Sequence, residues 1–208
     1  MDLIIFLITL FIFLYSVILH EIFHGLVAEA LGDPTPRLSG RISLNPIVHL
    51  DPLGSIIIPL LLVLSGSNIV FGWAKPVPIN YFNLKDKKYG MAKVALAGPA
   101  ANFILALIFG LILRFIPFSN SQFSQNLSLI FSQICWVNLL LAFFNLVPIP
   151  PLDGSHILFT FLPFKYQNIK IFLIRYQIFI LLFFIAFGFP FLGILVRFVF
   201  RLITNIAI

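Results

Sequence analysis

Apolar residues run without a charge from Leu3 to Leu19, and the apolar text continues through His20, Glu21 and His24 to Leu31. Gly32 and Pro34 then supply a normal helix stop, so the pattern predicts one long helix over Leu3 to Leu31. From Asp33 to Asp51 the chain turns to Pro, Gly, Ser, Arg and Asn, which is loop or short-strand material. Ile56 to Leu64 is apolar but short and holds Pro59; a poorly packed span and a re-entrant piece both fit it. Pro76 and Pro78 exclude a helix over Phe71 to Tyr81 and predict an extended segment, which at membrane depth is tolerated only against protein or a wet cavity.

Beyond the basic loop of Lys85, Lys87 and Lys88, a helix is predicted from about Met91 to Phe115. Its Gly98, Asn102, Ala106 and Gly110 recur every fourth residue, a stripe suited to close helix approach in lipid. Ser119 to Ser128 is polar but uncharged and predicts an exoplasmic turn, followed by a span from about Leu129 to Val147 that stops at Pro148. Asn138 and Asn145 share a face of that span. Lys165, Lys170 and Arg175 mark another basic loop. The last apolar region is interrupted at Gly188 and Pro190, and Arg197, Arg201 and Asn205 form a polar stripe, so Phe191 to Ile208 is expected to be an amphipathic interfacial helix or a half-buried end.

Composition sharpens this pattern. With 61% hydrophobic and 10% charged residues among 208, the chain is expected to be an all-α polytopic membrane protein. It has room for four to six transmembrane or re-entrant helices, with a short extended or β-like re-entrant segment near the candidate site. The net charge of +6 is no nucleic-acid signal, because the basic residues fall mainly in short loops and at helix ends. With the lysine loops inside, the N-terminus falls outside and the first helix ends on the cytoplasmic side. Met1-Asp2 offers no basic leader region, so the first helix is expected to be retained. Cys135 is the single cysteine, which rules out an intramolecular disulfide and a cysteine-based zinc site.

The chemistry sits in His20-Glu21-Ile22-Phe23-His24. On a helix the two histidines lie about 40° apart and Glu21 about 100° from His20. Two nitrogens can therefore meet one zinc ion, with a carboxylate beside them to take a proton from water. Measured from the helix stop, His24 and His20 lie roughly 12 and 18 Å in, below the membrane surface. Ionisable groups there are costly, and their default reading is functional; the blander alternative is a buried polar cluster that bonds other helices. Glu29 points away from His20 and reads as a helix-end charge. A catalytic zinc needs a third protein ligand and an open position. Once Asp2, Glu29, Asp33 and Asp86 are set aside as terminal, helix-end or loop charges, the candidates are Asp51, Asp153, His49 and His156. Asp153 follows a proline-rich stop and opens a new segment with Gly154, which suits an inward-aimed carboxylate or an ordinary N-cap. His49 and Asp51 equally suit a polar loop cluster, and His156 a structural or supporting group.

The pairing of His20-Glu21-x-x-His24 with Asn145-x-x-Pro148-x-Pro150-x-x-Asp153-Gly154 resembles the site-2 proteases, the intramembrane zinc metalloproteases. Leu44-Asn45-Pro46, His49-Leu50-Asp51-Pro52-Leu53-Gly54, Gly72-Trp73-Ala74-Lys75-Pro76-Val77-Pro78 and Gly98-Pro99-Ala100-Ala101-Asn102 are similar to the compact prokaryotic branch, and the likeness covers about residues 16 to 160. It implies one Zn2+ per chain held by His20, His24 and Asp153, with Glu21 as general base and Asn145 polarising the scissile carbonyl or holding its oxyanion. His49, Asp51, Trp73, Lys75 and Asn102 are expected to support the site or touch substrate. The likeness further implies one integral-membrane metalloprotease domain over 1–208, with a catalytic core of about 3–160 and apolar or amphipathic helices over about 171–208. Its partners would be the bilayer and a transmembrane protein substrate, with no nucleic acid, and a regulatory membrane protein or a second copy as a further class. The location implied is a prokaryotic plasma membrane, with the site nearer the cytoplasm. Compared with better-studied members, the sequence is expected to carry no PDZ or CBS module and no extra span before the metal helix. The alternative is a catalytically silent membrane metal-binding or regulatory scaffold, but such a site needs ligands and no base, so Glu21 argues against it. For substrate capture, Gly72 to Tyr81 is the expected strand edge, because an unwound helix needs replacement backbone bonds and Trp73 can sit at the interface.

Overall fold

The computed structural model describes residues 3–58, 61, 64, 74–119 and 121–206. The first helix, α1 (Leu3–Ala30), is followed by the single turn α2 (Thr35–Leu38). Two long helices come next, α3 (Gly90–Phe115) and α4 (Gln122–Asn145). Then follow α5 (Asp153–Phe161), α6 (Gln167–Arg175), α7 (Gln177–Phe183) and α8 (Phe189–Thr204). A π-helical turn, Phe184–Gly188, joins α7 to α8, so that Gln177–Thr204 is one continuous helix. That helix, Ile4–Ala30, Gly90–Phe115 and Gln122–Asn145 are each long and apolar enough to cross a bilayer. No strand occurs among the described residues. The protein is an all-α polytopic membrane protein.

Helix α3 is the centre of the bundle. It packs against α1, α4, α5 and α8. Its buried face is small: Ala95, Gly98, Asn102, Ala106 and Gly110. Facing it, α1 buries Ile12, Ser16, His20, His24 and Ala28, again every fourth residue. Two stripes of this kind let helix backbones approach closely where lipid removes the hydrophobic drive between helices. At Gly110 the approach is tight enough that a Cβ would stand 2.5 Å from Ile203 Cγ2 of α8. The outward faces carry large apolar side chains such as Phe11, Ile104, Phe179 and Phe183, as lipid contact requires.

One expectation is corrected, and one open alternative is decided. Helix α4 begins at Gln122, seven residues before Leu129, because Ser121 caps it by accepting from the Ser124 N–H. Uncharged Ser, Gln and Asn side chains thus extend the helix instead of forming a turn. For the C-terminal segment the structure favours the second of the two alternatives, a half-buried end. Leu192, Val196, Phe200 and Ile203 bury one side of α8 against Ala106, Cys135 and Leu139, while Arg197 and Arg201 stay exposed. Pro190 does not break the run: it follows directly on the π-helical turn Phe184–Gly188, at the start of α8. Arg114 Nη1 donates to Leu202 O at 2.7 Å and ties the end of α3 to the end of α8.

Near the site, Pro52–Ile57 forms a π-helical turn capped by Asp51, while whether residues 54–70 span the membrane lies outside the described residues. Residues 74–80 form no helix or strand, and Asn80, in extended conformation, leads into the 3-10 turn Tyr81–Asn83. Proline fixes this course: Lys75 and Val77 each precede a proline, which disfavours the helical region for both.

Candidate active site

His20 and His24 lie buried on the inner face of α1, one turn apart, with their rings edge to face at a centroid distance of 4.6 Å. Their Nε2 atoms are 3.0 Å apart. Asp153 Oδ2 stands 3.0 Å from the first and 3.2 Å from the second. Asp153 is the first residue of α5 and Leu152 is its N-cap, so the carboxylate is not spent as a cap. Gly154 makes this turn feasible, since a Cβ there would lie 2.2 Å from Leu146 O.

The other ring nitrogens decide what these atoms can do. His24 Nδ1 lies 2.7 Å from Val94 O, an acceptor only, so Nδ1 carries the proton. His20 Nδ1 lies 2.6 Å from Asn102 Oδ1. The Asn102 amide is itself oriented, because its Nδ2 donates to Ser16 O and Asn138 Oδ1. Asn138 is fixed in turn by donating to Ile134 O and Ser16 Oγ. With each Nδ1 turned to an oxygen acceptor, the tautomers that leave Nε2 free are favoured, and a carboxylate oxygen joins the two Nε2 atoms. Two imidazole nitrogens and a carboxylate oxygen converge, and that donor set fits a divalent zinc ion. Among the described residues this is the only group of three or more His, Cys, Asp or Glu whose ligand atoms lie within 4.8 Å of one another. Gly98 leaves the space it needs: a Cβ there would meet His24 Nε2 at 2.4 Å and His20 Nε2 at 2.5 Å.

These ligand atoms line a cavity of about 220 Å³ together with Glu21 and Asn145. Its remaining walls are Pro76, Val77, Ile79, Tyr81, Met91, Val94, Ala95, Pro151 and His156. Glu21 Oε2 accepts the Val77 N–H at 2.8 Å. Asn145 ends α4 and donates one Nδ2 hydrogen to Leu141 O at 3.0 Å. Burial pushes the His156 imidazole below its ordinary value against the opposing pull of Asp153, and burial with Asp153 pushes the Tyr81 phenol up. Both walls are therefore neutral at pH 7.

The structure brings His20, Glu21, His24, Asn145 and Asp153 to one cavity, with Asn102 directly behind His20. It does not bring His49, Asp51 or Lys75 to the cavity wall. His49 is buried elsewhere: its Nε2 donates to Ser43 O, and its carbonyl accepts the Lys75 N–H at 2.8 Å. Asp51 accepts from Leu53 N and Gly54 N, and Lys75 is exposed. Trp73 lies outside the described residues.

Asp33, set aside in the sequence as a loop charge, is fully buried. It accepts from Asn80 N at 2.6 Å, Asn83 Nδ2 at 3.0 Å, Thr35 N at 3.1 Å and Thr35 Oγ1 at 2.5 Å. Burial opposes its ionisation, but these donors outweigh it and hold the carboxyl below the usual range. The local Asp33-x-Thr35 pairing was visible in the sequence; the partners some 50 positions away were not.

Comparison with known proteins agrees with this geometry. The description of Peptidase family M50 matches residues 116–185, the part holding Asn145 and Asp153. The chain is 40% identical over 152 residues to "Putative zinc metalloprotease YwhC" of Bacillus subtilis, covering 71% of this chain and 66% of that protein. It is 33% identical over 143 residues to "Putative zinc metalloprotease Rip2" of Mycolicibacterium smegmatis, covering 68% of this chain and 52% of that one. "Zinc metalloprotease MJ0392" of Methanocaldococcus jannaschii is 27% identical over 165 residues, 78% of this chain and 37% of its own length. The chain thus spans between about a third and two thirds of these relatives. No solved structure matches it.

Proposed function

Because the chain belongs to Peptidase family M50, the site-2 protease family, we propose that it is an intramembrane zinc endopeptidase that hydrolyses peptide bonds within or near transmembrane segments of other membrane proteins. The observation that carries this reading is the meeting of His20 Nε2, His24 Nε2 and Asp153 Oδ2 on the wall of a cavity that also holds a carboxylate, Glu21. His20 and His24 lie on a helix long and apolar enough to cross a membrane, His24 about 9 Å from its end at Ala30, which supports a site at membrane depth.

His20, His24 and Asp153 would hold the zinc ion. Bound there, zinc supplies Lewis acidity that polarises a peptide carbonyl and lowers the pKa of water. Glu21 takes the proton of the attacking water and passes it to the leaving amine. Asn145, with one amide hydrogen on Leu141, keeps a second for the substrate carbonyl, where negative charge develops. Asn102 and Val94 hold the two imidazoles in the tautomer that leaves Nε2 free. A silent metal-binding scaffold needs ligands but no base, so a carboxylate at Glu21 favours the catalytic reading.

The bundle's connectivity supports an orientation. Leu31 O accepts from Lys85 N, and α4 runs back to the same end, so Arg37, Arg41, Lys75, Lys85, Lys87, Lys88, Lys93, Lys165, Lys170 and Arg175 gather at the end nearer the site. Arg114, Arg197 and Arg201 lie toward the other. The positive-inside bias then puts the site's end in the cytoplasm.

Purified protein in detergent, with metal analysis and cleavage of a single-span reporter, tests the proposal. Glu21→Gln should abolish cleavage with about one zinc per chain retained, because the amide keeps the shape but cannot act as base. Undiminished cleavage by Glu21→Gln, or a wild-type chain that takes up no zinc, would overturn it.

A further inference from the structure

The segment over residues 74–80 forms one wall of the cavity, and its hydrogen bonds are unevenly distributed. Pro76 and Pro78 have no N–H, so Val77 supplies the only backbone donor in Pro76-Val77-Pro78. That donor goes to Glu21 Oε2 at 2.8 Å. On either side the segment is pinned to other elements: Lys75 N to His49 O at 2.8 Å, and Asn80 N to the buried Asp33 carboxylate at 2.6 Å. Asp33 also takes the Asn83 side chain and is held by Thr35 just beyond α1. The strap therefore has fixed anchors on both sides of the one N–H that reaches the cavity carboxylate.

We propose that the Val77 backbone amide is a positioning group for Glu21, held in place by the anchors at His49 and Asp33. This rests on the reading of Glu21 as general base. A carboxylate on a helix can rotate about its terminal bonds, and only some orientations aim an oxygen at a water beside the ligand cluster. A donor fixed on Oε2 removes that freedom and leaves Oε1 as the oxygen that carries the proton. The bond is charge-assisted, the stronger kind. The prolines serve the same end, since they keep the strap extended and remove competing donors next to Val77.

Proline at position 77 deletes the N–H while matching the extended course of its neighbours, and Val77→Ala serves as the reference for the lost isopropyl group. Cleavage of labelled β-casein, an unfolded chain that needs no helix unwinding, separates kcat from KM. Val77→Pro should show kcat about 10- to 100-fold below Val77→Ala, the range set by losing a hydrogen bond to a charged group. KM should stay within about threefold and zinc near one per chain, as expected for a group that acts through another residue. An independent readout is hydrogen exchange of the strap: the Val77 amide should be protected in wild type and lose that protection in Glu21→Ala. Equal kcat in Val77→Pro and Val77→Ala, a loss residing in KM, or a rise in kcat would each overturn the proposal. Val77 protection that is indifferent to Glu21→Ala would do the same, and this arm decides if the proline variant does not fold. An active Glu21→Gln would instead remove the premise that Glu21 is the base.

Discussion

At the scale of single residues, the site depends as much on an absent side chain as on those present. Gly98 faces both imidazoles, and real Cβ atoms do not approach heavy atoms to 2.4 or 2.5 Å. The atoms that would collide are the Nε2 atoms themselves, so Gly98→Ala must turn both donors away from Asp153. Zinc content should fall below about a tenth of wild type, the order set by loss of one ligand's geometry, with helix content by circular dichroism unchanged. A fully loaded Gly98→Ala would show that the imidazoles have room the geometry denies them. Asn102→Ala is milder: it removes the acceptor that fixes His20's tautomer, and zinc affinity measured by competition with a chelator should drop about 10- to 100-fold. The His20-Glu21-x-x-His24 word could be found without a structure because its ligands share one helix face at fixed spacing. The reach of Asp153 to the same point, across more than 120 positions, followed from family resemblance and not from spacing. His49 and Asp51 remained open in the sequence between ligand and polar loop cluster, and their local turn bonding favours the loop cluster.

At the scale of elements, helix starts and stops were legible wherever a local signal existed. Gly32, with φ of 106°, ends α1 beside Pro34 in a conformation glycine tolerates, one residue from the expected boundary. The sequence left helix α8 between an interfacial and a half-buried position, because its Arg197 and Arg201 suggest a surface helix. The deciding signal was the i, i+4 run of Leu192, Val196 and Phe200 on a separate face. The extended strap was legible from its prolines, but its anchor was not, since a buried Asp33 cannot be told from a loop charge without its distant donors. That anchor has a pH signature. Asp33's carboxyl lies below its unfolded value, so the stability it contributes is complete above that value, about 3.9, and is lost as pH falls through the lower folded value. Thermal unfolding in detergent should therefore show an acid limb below about pH 4 that is flatter in Asp33→Asn. Parallel limbs for the two proteins would mean the Asp33 cluster does not stabilise the strap.

At the scale of the whole molecule, the polar and apolar parts of the chain have to agree on one orientation. Helices α1 and α3 run antiparallel, α4 returns, and the Gln177–Thr204 helix runs out again, so both described ends of the chain lie on the side of Arg114 and Leu202. The other side holds α2, the strap, α5 and α6, and with them most of the Lys and Arg. Inverting the bundle would put that basic surface outside, against the insertion bias that short basic loops exert. Single cysteines introduced in a Cys135→Ala background test the orientation, since Cys135 is fully buried and its replacement touches no exposed surface. In intact cells a membrane-impermeant maleimide should label Ser119→Cys readily and label Lys87→Cys and Lys165→Cys only after permeabilisation. Labelling of Lys87→Cys in sealed cells with protection of Ser119→Cys would invert the protein. The cavity at His20 and His24 would then open toward the outer face, and the substrates it could reach would be cut near their exoplasmic ends.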